Sequence, residues 1–177
     1  MTDRLSRLQR SAHMARIRGA DTRPELIVRR WLHAEGYRFR LHARALPGRP
    51  DIVLRRHGTV ILIHGCFWHR HSGCRLAYRP RTRRIFWEHK FLTNVERDRE
   101  QIRALVSDGW KVIIVWECGL RGIGRTASTL QGLLAGLNCT DRNYVEIPLP
   151  SASHNTPHLS NRPRQRGGIE HGKRSAV

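Results

Sequence analysis

The sequence is poor in lysine and in acid. Only Lys90, Lys111 and Lys173 among its 33 basic residues are lysines, and just 14 acidic residues oppose them, giving a net charge of +19 over 177 residues. So acid-poor a chain is not an acidic cation buffer. Long apolar runs are also missing: none approaches the ~20 residues of a membrane span, so no membrane partner is expected. The opening residues Met1-Thr2-Asp3-Arg4-Leu5 lack the apolar core of a secretory signal, and a secreted protein is not expected either. Cysteine is scarce, at Cys66, Cys74, Cys118 and Cys139. In a reducing compartment these thiols are buried and inert, or they bind metal.

What the sequence has instead is arginine. An arginine-rich proteome could produce a basic surface without purpose, but so large an excess over acid fits a polyanionic partner better, and nucleic acid is the commonest one. The charge is not confined to a tail. Residues 151–177 carry five basic residues and one acidic, which leaves 28 basic against 13 acidic over residues 1–150. From position 52 to position 87 there is no acid, yet Arg55, Arg56, Arg70, Arg75, Arg79, Arg81, Arg83 and Arg84 fall there. Six more arginines lie at or before Arg23, against Asp3 and Asp21. Both stretches are candidate phosphate-binding surfaces rather than plain solvated faces. The length suits one domain over residues 1–150. The Ser-, Pro-, Arg- and Gly-rich stretch 151–177 reads as a disordered basic tail.

Periodicity predicts a basic helix over 5–18, then a second helix from Thr22, with Pro24 in its first turn and Glu25 at the capping-box position. Gly36 closes that helix. Alternation over 37–41 predicts a strand, and 51–54 and 59–63 predict two more, joined by the turn Arg55-Arg56-His57-Gly58. A helical region follows over 83–107, with a break expected near 91–93. A buried strand over 111–116 and a last helix over 126–137 complete the pattern. Alternating strands and helices with one hairpin predict an α/β fold, a small mixed sheet covered by helices.

Three groups of residues carry chemistry. Cys66, His71 and Cys74, with Cys118 just beyond the strand at 111–116, have the composition of a closed structural zinc site. Such a clip would order the long polar loop over 64–82; the alternative is a buried thiol and incidental loop cysteines. Asp51 follows Pro50 at a strand start, where a carboxylate can hold Mg²⁺ or simply cap the turn. His64 ends the second hairpin strand, and His69 lies close enough in sequence to act as a base. Asn94 and Asp98 share one helix face with Val95, Ile102, Leu105 and Val106, so Asp98 must find a partner, a histidine or an arginine. Finally, Phe67, Trp68 and Trp87 sit in arginine-rich surroundings and suit stacking on bases, whereas Phe86 is expected in the core.

Four ordered motifs now stand out: Leu46-Pro47-Gly48-Arg49-Pro50-Asp51, His64-Gly65-Cys66-Phe67-Trp68-His69, Asn94-Val95-Glu96-Arg97-Asp98 and Val115-Trp116-Glu117-Cys118. Together with Ser11-x-x-Met14 they resemble the very-short-patch repair DNA mismatch endonuclease family, over roughly residues 11 to 122. The resemblance implies a restriction-endonuclease-like fold of the PD-(D/E)xK type with a zinc loop. It implies a Mg²⁺-dependent, strand-specific nick beside the T of a T·G mismatch in double-stranded DNA. Under it, Asp51 and the backbone carbonyl of Ile63 are the Mg²⁺ ligands, and His69 is the general base with Asp98 as partner and Asn94 nearby. Glu25 and His64 are supporting residues. Phe67, Trp68 and Trp87 enter the duplex, and Met14 contacts it from the minor-groove side. Cys66, His71, Cys74 and Cys118 hold Zn²⁺. A monomer in the bacterial cytoplasm, beside the nucleoid and the mismatch-repair proteins, is the setting implied. The competing readings are a nuclease of this fold with another specificity, and a non-catalytic zinc-stabilised DNA-binding protein.

Overall fold

The computed structural model describes residues 20–148. The expected basic helix with Met14, and the tail over 151–177, lie outside the described residues. Helix α1 (Arg23–Ala34) begins at the expected cap, and β1 (Arg40–Leu41) follows it. The hairpin β2 (Ile52–Leu54) and β3 (Thr59–His64) turns through a short 3-10 segment, Arg55–His57. Next come α2 (Arg84–Ser107), β4 (Lys111–Trp116), a second 3-10 turn (Glu117–Leu120), α3 (Ile123–Asn138) and β5 (Tyr144–Ile147).

The five strands form one sheet in chain order. β1, β2 and β3 pair antiparallel, whereas β3, β4 and β5 pair parallel. The change of direction follows from the connections: the four-residue turn over 55–58 can join only antiparallel strands, while the helical crossovers through α2 and α3 return the chain parallel.

The strands are apolar and β-branched on both faces because both are covered. Ile52, Leu54, Ile61, Ile113, Val115 and Ile147 point to one side, against Val28 and Leu32 of α1 and Leu133 and Leu137 of α3. Val53, Val60, Leu62, Val112, Ile114 and Trp116 point to the other, against Ile102 and Leu105 of α2. The result is the mixed α/β layer arrangement the pattern predicts.

Four local expectations need correction. Helix α2 runs unbroken through 91–93. No Gly or Pro interrupts positions 84–107, and the Thr93 hydroxyl is absorbed by donating to the His89 carbonyl at 2.9 Å. Phe86 is 47% exposed rather than core; it lies under the Arg83 guanidinium, 4.5 Å from its ring centre. The strand expected over 37–41 begins only at Arg40: the Tyr37 N–H is spent on the Leu32 carbonyl at the helix end, at 2.9 Å, and only Arg40 and Leu41 pair with β2, before His42 turns left-handed at φ 46°. Strand β5 was not anticipated: its four residues include Tyr144 and Glu146, which disguise an edge strand.

Candidate active site

The site gathers at the C-terminal end of β3. Asp51 lies just before β2, where the Pro47-Gly48-Arg49-Pro50 turn delivers it to the sheet. Its Oδ2 accepts the backbone N–H of Ile63 at 2.7 Å. Its Oδ1 faces Nδ1 of His42 at 4.0 Å, too long for a hydrogen bond. Burial pushes the Asp51 carboxyl above its usual range, more than the Ile63 N–H lowers it. A half-buried carboxylate with so little compensation, and one oxygen not held by a hydrogen bond, is chemically suited to a hard cation.

The next residue of β3 reaches the second half of the site. His64 is buried and stacks on His69, with ring centres 3.9 Å apart and planes within 12°. Burial pushes His64 down to about 3, so it is neutral near pH 7. His69 Nδ1 lies 2.5 Å from Asp98 Oδ2. Asp98 thus has the histidine partner, and Arg97 adds a longer contact at 3.6 Å. Burial raises the Asp98 carboxyl, but the hydrogen bond and charge of His69, with His64 and Arg97, outweigh it and hold the group below its usual range.

Helix α2 supplies Asp98 for a simple reason. Its buried stripe runs Phe91, Asn94, Asp98, Ile102, Leu105. The apolar end covers the sheet, and the polar end covers the site. Asn94 donates from Nδ2 to the Trp68 carbonyl at 3.2 Å and so ties the loop to the helix.

Glu25 closes the capping box of α1. Its Oε1 accepts from the Thr22 hydroxyl at 2.8 Å, and its Oε2 accepts from Arg29 at 2.5 Å. Arg29 and His42 were not foreseen from the sequence. The signal for Arg29 was available, since it stands four residues after Glu25 on the buried side of an amphipathic helix. His42 carried none: its place depends on a left-handed backbone turn.

The loop after β3 brings a second cluster together. The ligand atoms of Cys66, His71, Cys74 and Cys118 lie within 4.8 Å of one another. His71 Nδ1 stands 3.7 Å from Cys66 Sγ and 3.3 Å from Cys118 Sγ. Those separations match the edges of a tetrahedron built on metal–ligand bonds of about 2.0–2.3 Å. The imidazole lies flat on Trp116, with ring centres 4.2 Å apart. Burial pushes His71 down and so keeps it neutral, as a ligand must be. Burial pushes the Cys66 and Cys118 thiols up, a cost that a bound dication would reverse.

Beyond the cluster, the aromatic residues pack together. Phe67 is the hub, with ring centres 5.1 Å from Trp68, 5.4 Å from Trp87, 5.1 Å from Phe91 and 4.9 Å from Tyr78. Phe91 is buried and carries Arg70 over its face at 4.2 Å. Phe67, Trp68 and Trp87 are half-buried.

A histidine–carboxylate pair next to a cation-suited carboxylate, on a basic α/β scaffold, is the equipment of a phosphodiester hydrolase. Comparison with known proteins agrees. Residues 2–75 match the model of the family described as DNA mismatch endonuclease Vsr. A type II nicking enzyme of Xanthomonas oryzae pv. oryzae is 46% identical over 134 residues, covering 76% of this chain and 98% of that protein.

The chain belongs to the Vsr family.

The DNA mismatch endonuclease Vsr of Escherichia coli is 46% identical over 122 residues, 69% of this chain and 78% of its own. A type II nicking enzyme of Neisseria meningitidis serogroup A is 42% identical, over 68% of this chain and 86% of its own. As a Vsr-family member the protein is a DNA endonuclease, a hydrolase. Among the described residues no helix is long and apolar enough to cross a membrane.

Proposed function

We propose that the protein nicks one strand of double-stranded DNA beside the T of a T·G mismatch, in a Mg²⁺-dependent reaction. The observation that carries the reading is the convergence at the end of β3: Ile63 holds Asp51 while His64 stacks on the His69–Asp98 pair. Asp51, with the backbone carbonyl of Ile63, holds Mg²⁺, which supplies Lewis-acid polarisation of the scissile phosphate. His69 keeps its Nδ1 proton toward Asp98, so Nε2 is the atom that accepts a proton from the attacking water. Asp98 then stabilises the imidazolium. The water oxygen forms the new P–O bond, the bridging P–O bond breaks, and the departing oxygen takes up a proton. His64, neutral and stacked, holds the His69 ring in plane.

Cys66, His71, Cys74 and Cys118 hold a structural Zn²⁺ that fixes the loop bearing His69, within a restriction-endonuclease-like fold. Phe67, Trp68 and Trp87 enter the duplex where a mismatch makes unstacking easier. Met14 adds a contact from the minor-groove side, and Asn94 and Glu25 support the site. The relatives named above are bacterial, and a monomer acting beside the nucleoid and mismatch-repair proteins fits them. The test is a nicking assay on a T·G duplex with Mg²⁺. The wild type should cut one strand, and Asp51→Ala should bind without cutting. A wild type that binds the duplex but leaves both strands whole sinks the proposal.

A further inference from the structure

Strand β5 lies outside the four sequence motifs and outside residues 2–75 that match the family model, yet it reaches the cysteine cluster. Its register sets Tyr144 opposite Val112 and Glu146 opposite Ile114, on the sheet face that carries Trp116. The Trp116 indole Nε1 donates to Glu146 Oε2 at 2.9 Å. Glu146 Oε1 accepts from the Tyr144 hydroxyl, so the carboxylate is itself held. The buried indole is confined on two further sides. His71 lies flat on it with planes within 7°, and His64 meets it edge-on with ring centres 5.3 Å apart.

His71 needs such a backing. Its Nδ1 faces the sulfurs of Cys66 and Cys118, while its Nε2 is buried with no hydrogen-bond partner among the described residues. A metal-bound histidine usually gives its other ring N–H to a carboxylate, a carbonyl or water, and that bond orients the ring. Here the indole face sets the ring plane instead, and with it the direction of the Nδ1 lone pair. We propose that Glu146 is a positioning residue for the cysteine cluster: by holding the Trp116 indole, it fixes the His71 ring with Nδ1 pointing among the sulfurs. The inference rests on the reading of that cluster as a zinc site. Glu146 touches neither metal nor substrate and acts through Trp116 alone.

The test is competition for Zn²⁺ between the full chain and a chromophoric chelator, at about pH 7 because metal affinity depends on pH. Partners one contact removed from the metal contribute about 10–100-fold in affinity, and Glu146 stands one contact further out. Glu146→Ala should therefore weaken Zn²⁺ binding by about tenfold. Glu146→Gln keeps an oxygen for the indole and an amide for the Tyr144 hydroxyl, and should restore the affinity of wild type. Trp116→Phe keeps a ring against His71 but loses the N–H, so adding Glu146→Ala to it should cost nothing more. Co²⁺ in place of Zn²⁺ gives a second readout. Its visible thiolate and ligand-field bands should change in Glu146→Ala and recover in Glu146→Gln. Leu137→Ala, in the core on the other face of the sheet, should lower stability and leave the bands as in wild type. A folded Glu146→Ala with the affinity and bands of wild type overturns the inference, as does a Glu146→Gln no better than Glu146→Ala. If Glu146→Ala does not fold, Trp116→Phe decides, and an unchanged Zn²⁺ affinity there overturns it. A wild type that binds no Zn²⁺ and shows no thiolate bands with Co²⁺ removes the zinc reading itself, and the inference with it.

Discussion

Asp98 is a carboxylate on the buried stripe of a helix, and His69 compensates that burial through a bond of 2.5 Å. Replacing it by Asn keeps the shape and removes the charge that favours the Nδ1–H form and the imidazolium. Nicking by Asp98→Asn should fall by about 10²–10⁴-fold in single-turnover rate, with DNA affinity little changed. A parallel loss of affinity would place Asp98 in binding instead. The same residue sets an acid limit on stability. Its carboxyl lies below the ordinary 3.8 in the folded chain, so the stabilisation is complete above that value and is lost as pH falls through the folded one. Melting temperatures measured from about pH 5 down to about pH 2 should drop less steeply for Asp98→Asn than for wild type. Equal slopes would show that the His69 pairing contributes nothing to the fold.

At the scale of elements, the hairpin, both parallel core strands and α1 were legible because each has a local signature: a turn flanked by apolar runs, or a cap followed by an amphipathic stripe. Strand β5 was not, because an edge strand with one buried position, Ile147, has no period to read. The His69–Asp98 pairing was half legible. The stripe said that Asp98 needed a partner, but the choice between histidine and arginine depended on how a loop without periodicity folds back. His42 was hidden for the same reason, since its meeting with Arg29 joins a helix to a left-handed turn. One element junction has a sharp prediction. In the Glu117–Leu120 turn, a Cβ on Gly119 would lie 2.4 Å from Thr129 Oγ1 and 2.7 Å from Pro148 Cδ. Thr129 also donates to the Gly119 carbonyl at 3.0 Å, so α3 cannot simply retreat. Gly119→Ala should destabilise by about 1–3 kcal/mol, read from the denaturant midpoint. Cys118 is the preceding residue, so, with Zn²⁺ the proposed occupant of the cysteine cluster, zinc per chain should fall with it. Unchanged zinc content beside lowered stability would detach this turn from the metal cluster.

For the whole molecule, the +19 charge and the sparse carboxylates divide the work. Asp51 and Asp98 are drawn into the site, and the arginines are left to meet phosphate. Arg79, Arg81 and Arg84 line one cleft with Trp87, Glu88 and Phe91, so the proposed phosphate contacts and the proposed aromatic wedge would share a surface. Affinity built this way comes from released counterions, and each neutralised phosphate contributes about 0.9 to the log–log slope of binding against salt. Replacing these three arginines by alanine should lower that slope by about 2.7, if each meets one phosphate. The loss should be the same on matched and mismatched duplexes, because phosphate contacts carry no base information. Trp68→Ala should behave in the opposite way, leaving the slope intact and reducing the preference for the mismatch. Fluorescence anisotropy on both duplexes, over about 50–200 mM salt, separates the two. If the triple variant lost mismatch preference and kept its slope, the arginine cleft would be reading the distorted site itself, and the wedge would have to lie elsewhere.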